Sequence, residues 1–219
     1  MSDNGIDESD RDRQDFLLLF LMMLPLQVIY PVLSGFSERV ILVLFFSLIL
    51  VLGVWLMRGS RHRFLIAAIL ALISLELIWV SLWHAASSLL PLGEFTLLLF
   101  LVILSGRYLL VFIRTELPVY DLFIAAAALC LLLGTILGLG IYLLTGLYPA
   151  SALTKPDLAQ ALTSGISIIT TNGAGVVMDD PLPLVRVISA LGMIGGVLLI
   201  ALFIAKIGVW FYKKGERVL

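Results

Sequence analysis

Charge is scarce in this sequence, and so are the side chains that do covalent chemistry. Acidic and basic residues together make up 13% of the 219 positions, too few to cover the surface of a water-soluble domain of this size. The single cysteine, Cys130, excludes an internal disulfide framework or a cysteine metal site, and its place in an apolar run suits a buried structural thiol. Only two histidines are present, His62 and His84, and the topology derived below puts them on opposite sides of a membrane, where they cannot share a metal. Ser164-Gly165 suggests an intramembrane serine protease, but neither histidine falls near it in the predicted topology; a serine without a base is only a serine, and no enzyme signature remains. The formal net charge of −1 points to neither nucleic acid nor an acidic soluble partner. The opening MSDNGIDESDRDRQD lacks the basic start and short apolar core of a cleaved signal peptide, and residues 1–15 read as a disordered cytoplasmic tail. No internal repeat is visible between the halves, which counts against an inverted-repeat transporter.

What is abundant is apolar sequence. Hydrophobic residues reach 61% and the mean hydropathy is +1.13, the composition of an integral membrane protein. Six runs are long enough to cross about 30 Å of hydrocarbon at 1.5 Å per residue, near 16–34, 39–57, 63–85, 93–113, 119–147 and 182–212. Pro25 and Pro31 predict that the first is kinked or ends early. The fold class is therefore all-α.

Between the fifth and sixth runs lies a stretch of another kind. Pro156 and Asp157 carry helix-start chemistry, the following residues to Ile169 are moderately apolar and too short to span, and the polar, glycine-rich run Thr170-Thr171-Asn172-Gly173-Ala174-Gly175 comes next. Irregular backbone at membrane depth is tolerated only where protein buries it or water lines it, because an unpaired peptide group facing lipid costs several kcal/mol. A half-membrane helix followed by such a run predicts a re-entrant loop over 156–181 that lines a pore or binding site. Placing the N-terminus inside puts Arg11, Arg13, Arg58, Arg61, Arg63, Arg114, Lys213, Lys214 and Arg217 on inner flanks, against Arg39, Lys155 and Arg186 outside. The excess of inner cations predicts two cytoplasmic termini and a loop entering from the outside.

Those residues resemble the filter of the six-helix branch of the potassium-channel superfamily, which usually reads Thr-Thr-Val-Gly-Tyr-Gly. Thr170, Thr171, Gly173 and Gly175 match that pattern, whereas Asn172 and Ala174 depart from it. The resemblance covers 119–212; over 16–113 it rests on helix count and topology. It implies a plasma-membrane homotetramer that passively conducts monovalent cations, potassium foremost and sodium next, coordinated by carbonyls of Thr171, Asn172, Gly173 and Ala174, with no other cofactor. It further implies a four-helix peripheral bundle over 16–113, resembling a voltage sensor but poor in arginine, and a pore domain over 114–219. Loss of the aromatic brace at Ala174 and the amide at Asn172 imply weakened selectivity, and Asp179 and Asp180 would form an acidic ring at the outer mouth. A secondary cation transporter and a non-conducting regulatory membrane subunit are the competing classes.

Three further features stand out. The resemblance implies a gating hinge at Gly192, Gly195 and Gly196 in the last run, positions that equally suit close helix packing. Glu76 and Arg107 are intramembrane charges expected to form a structural ion pair. The fourth run carries only Arg107 and Arg114, not the repeated arginines that would move several gating charges, and Trp55, Trp79, Trp83 and Trp210 suit interfacial or packing positions.

Overall fold

The computed structural model describes residues 8–28, 36–59, 61–83, 90–147, 157–172 and 182–216. Among these the protein is all-helical, with α1 (Glu8–Val28), α2 (Phe36–Leu56), α3 (Arg61–Trp83), α4 (Leu90–Arg114), α5 (Val119–Leu147), the short α6 (Leu158–Ile169) and α7 (Pro183–Glu216). Four stretches are long and apolar enough to cross a membrane: Arg61–Val80, Pro91–Arg114, Val119–Leu147 and Pro183–Tyr212. In α2 the apolar part described is Val40–Leu56. The chain is thus a membrane-embedded helical protein.

The first turns of α1 are polar, and here the structure corrects the sequence reading: residues 8–15 are helical rather than a disordered tail. Tertiary partners explain the order. Arg13 pairs with Asp121 at 2.8 Å, Asp12 accepts a hydrogen bond from the Thr115 hydroxyl at 2.9 Å, and Phe16 is buried edge-on against Tyr108 and Phe112. Pro25 lies inside α1, whose described residues run on to Val28, and it costs the helix one backbone donor. Residues 29–35, including Pro31, lie outside those described.

Helix α1 runs parallel to α5. Arg13 meets Asp121 near one end and the Gln27 amide donates to the Thr135 hydroxyl at 2.8 Å near the other, an equal advance of about 21 Å along both helices. Helices α3 and α4 are antiparallel, with Ser74 donating to Thr96 across them at 2.8 Å, and Trp79 ties α3 to α2 through Ser47 at 3.0 Å. The buried core runs through all of these helices, from Phe16 and Leu19 through Phe46 and Phe100 to Leu129 and Leu132.

Helix α6 is cradled by α5 and α7. At the closest points it meets both backbone to backbone, an approach that glycine permits. A Cβ built on Gly138 would stand 2.6 Å from the Ala161 carbonyl oxygen, one on Gly165 would strike the Gly134 carbonyl oxygen, and one on Gly196 would strike the Ile169 carbonyl oxygen. By contrast, Gly195 has open space where its Cβ would go.

This contrast sets the first test. Gly165→Ala should lower the thermal stability of the detergent-purified protein by about 1–3 kcal/mol through overpacking, whereas Gly195→Ala should be neutral or slightly stabilising because alanine is the better helix former. Equal melting temperatures for Gly165→Ala and the wild type would show that α6 does not depend on the close approach.

Candidate functional site

Helix α6 starts at Asp157, whose carboxylate accepts a hydrogen bond from the Leu158 N–H at 2.7 Å and so caps the helix. The aspartate is the cap itself, one position before the first helical turn. The two faces of α6 differ sharply. Leu158, Ala161, Leu162, Gly165, Ile168 and Ile169 are buried against α5 and α7. Gln160, Thr163, Ser164, Ser167 and Thr170 recur at helical spacing on the opposite side, where Gln160 and Thr163 are exposed.

Three of these hydroxyls bond to their own helix: Thr163 to the Ala159 carbonyl at 2.8 Å, Ser164 to the Gln160 carbonyl at 2.8 Å, and Thr170 to the Ile166 carbonyl at 3.0 Å. Such back-bonding lets a hydroxyl sit in an apolar setting at little cost. The Gln160 amide has two donors and an acceptor and needs partners outside the helix.

The end of α6 lies deep between its neighbours. The Cβ position of Gly134 meets the Ile166 backbone thirteen residues before the end of α5, and that of Gly196 meets Ile169 thirteen residues into α7. Each interval is about 20 Å of helix. There α6 stops: the Thr170 N–H bonds the Ile166 carbonyl at 2.9 Å, the Thr171 N–H bonds the Ile168 carbonyl at 3.0 Å, and Thr171 takes a left-handed φ of 63°. A β-branched residue rarely adopts that conformation, which the Thr171 hydroxyl supports by donating to the Thr170 carbonyl at 2.6 Å. Thr171 and Asn172 are exposed, while Gly173, Ala174, Gly175, Asp179 and Asp180 lie outside the described residues.

The remaining sequence-predicted residues separate. Gly192 packs against Leu137 and Ile168 and Gly196 against Ile169, in an α7 helix that continues unbroken through all three glycines. A Cβ on Gly195 would meet nothing within 4 Å. The Glu76–Arg107 pair is not formed, and helix register is the reason. With Ser74 opposite Thr96, Glu76 falls near position 94, about 20 Å along the helix from Arg107. Glu76 is exposed, and the Arg107 Nη2 instead lies 3.8 Å from the Asp15 carboxylate. Burial pushes the Asp15 carboxyl above the usual carboxylate range, opposed mainly by Arg107.

Residues that sequence reasoning missed are the polar stripe of α6, the contact glycines Gly134, Gly138 and Gly165, and the ion-pair partners Asp15 and Asp121. The stripe was visible as a three-and-four spacing of polar side chains. The partner helices of the glycines were not.

The chain matches no protein-family model, and no characterised protein or solved structure proves similar to it. The local geometry therefore carries the functional reading alone.

A backbone test follows from Thr171. If its left-handed φ is strained, Thr171→Gly should leave the melting temperature unchanged or raise it, since glycine relieves about 1 kcal/mol of strain. A clear drop would show that the hydroxyl contact outweighs the backbone conformation.

Proposed function

We propose that this protein is one subunit of a homotetrameric cation channel in a plasma membrane, with six spans and both termini in the cytoplasm. The observation that carries the reading is α6: a half-length helix with one face packed on α5 and α7, a polar opposite face, and an end about 20 Å along both neighbours. A glutamine and hydroxyl stripe turned to lipid would be unfavourable, so it faces water or another protein surface. A second subunit would supply that surface. At about 3.3 Å per extended residue, the sequence between Asn172 and Leu182 is long enough to return to the membrane surface.

In this reading α6 is the pore helix, and the run from Thr170 to Gly175 is the filter. Carbonyls of Thr171, Asn172, Gly173 and Ala174 from four chains replace the hydration oxygens of a potassium or sodium ion. No covalent step is required, because conduction exchanges one set of oxygen ligands for another. Asp179 and Asp180 would raise the cation concentration at the mouth. Long faces of α7 remain uncovered in one chain, with Leu191, Ile194, Val197, Leu198 and Ile204 exposed, leaving it free to line an inner cavity or meet neighbouring chains.

Recording purified protein in planar bilayers under potassium and sodium gradients tests the proposal. Cation currents from tetramers are expected; silent bilayers, or saturable exchange by monomers or dimers, would reject it. Selectivity is expected to be modest, because Ala174 cannot brace the filter and Asn172 places an amide where a packed apolar side chain usually stands. Asn172→Val with Ala174→Tyr should shift the reversal potential toward that of potassium, and a wild type already strongly potassium-selective would contradict the argument. With few arginines available to move, currents should depend little on voltage. Steep gating by several charges, each worth about 2.3 kcal/mol per 100 mV, would show that α4 senses the field.

A further inference from the structure

At one end of the bundle the start of α1, the turn after α2, the start of α3 and the end of α4 enclose a cavity of about 540 Å³. Its charged lining consists of Arg11, Arg63, Arg107 and Arg114 against one carboxylate, Asp12. Asp12 already accepts a hydrogen bond from Thr115. Arg13 is engaged elsewhere, with Asp121, and does not line the cavity. We propose that this cavity is a binding site for a phosphate-bearing anion, with a phospholipid headgroup as the source the geometry favours. The inference does not depend on whether the protein conducts ions.

Three observations converge on it. The lining carries three more positive than negative charges, with Asp15 a further carboxylate beside Arg107, an excess that favours an anion. Arg107 is only loosely held by Asp15 at 3.8 Å, and its buried Nη1 has no hydrogen-bond partner among the described residues. A guanidinium presents donors in a planar fork that matches phosphate oxygens, and a buried donor left unpaired is costly. The third observation is depth. Arg114 ends the apolar stretch of α4, so the mouth lies near the level where hydrocarbon gives way to headgroups, and Arg107 lies about 10 Å further in. Leu110 lies between them on α4, lines the same cavity and is exposed, giving an acyl chain an apolar wall beside the charged one.

Native mass spectrometry of the full-length protein released from detergent provides the test, with dioleoyl phosphatidylglycerol, dioleoyl phosphatidylcholine and inorganic phosphate as separate probes. Phosphatidylglycerol should be retained in preference to phosphatidylcholine. Arg63→Gln with Arg114→Gln should weaken that retention roughly thirtyfold, as about 1 kcal/mol per arginine near an anionic surface implies, while Arg13→Gln should leave it nearly unchanged. Competition by millimolar inorganic phosphate would assign the site to a soluble phosphate, keeping the anion site but overturning the headgroup as its source. Absence of competition would support the lipid. Equal retention of both lipids by the wild type, or undiminished phosphatidylglycerol retention by the Arg63 and Arg114 double variant, would overturn the proposal. Both arginines are exposed, so this variant leaves the half-buried Arg107 and the packing around it in place.

Discussion

The position of α6 depends on contact between backbones. Twelve residues are too few for a helix to be stable by itself, and tertiary packing must supply most of its stability. In a membrane that packing cannot come from excluding water, since lipid is as apolar as the helix face; it comes from dispersion at close approach. Gly138 and Gly165 remove two side chains from the α5–α6 contact, and Gly196 removes one from the contact between α7 and the end of α6. The end of α6, and with it Thr170 and Thr171, is thereby fixed from two sides.

That placement gives the opposite face of α6 its meaning. Serine and threonine on a helix are ambiguous in lipid, because each can return its proton to a carbonyl one turn earlier, as Thr163, Ser164 and Thr170 do. Gln160 is less ambiguous. Its amide cannot be satisfied by the local backbone alone, so lipid is an unfavourable neighbour and water or a protein surface a favourable one. This one amide favours an aqueous or protein neighbour more strongly than the hydroxyls do.

Much of the helical arrangement was legible from composition and run length. The fourth and fifth runs, 93–113 and 119–147, lie within or coincide with α4 and α5, and the short helix before the glycine-rich run is α6. What failed did so where the deciding partner was distant in sequence. Residues 8–15 have the composition of a disordered tail, and partners far along the sequence, Asp121, Thr115 and Arg107, show why they are ordered. The Glu76–Arg107 pairing assumed that adjacent antiparallel helices bring any two interior charges together. Register decides that, and apolar runs alone do not define it to within the several turns that mattered. The polar stripe of α6 was a different omission: its spacing was available, but its significance required knowing which face α5 and α7 covered.

The two ends of the structure are held by different forces. At the end that contains the start of α1, Arg13 pairs with Asp121, Asp12 accepts from Thr115, and Lys206 of α7 donates to the Thr115 carbonyl at 2.7 Å. The corner between α4 and α5 is thus tied to α1 on one side and α7 on the other. Around α6, backbone contact and apolar packing do the holding. Salt screens exposed charges within about 8–10 Å at ordinary ionic strength but leaves dispersion contacts almost untouched. Asp121 is buried beneath its ion pair, so salt reaches that tie only in part, while the α6 cradle, held by contact alone, is insensitive to it.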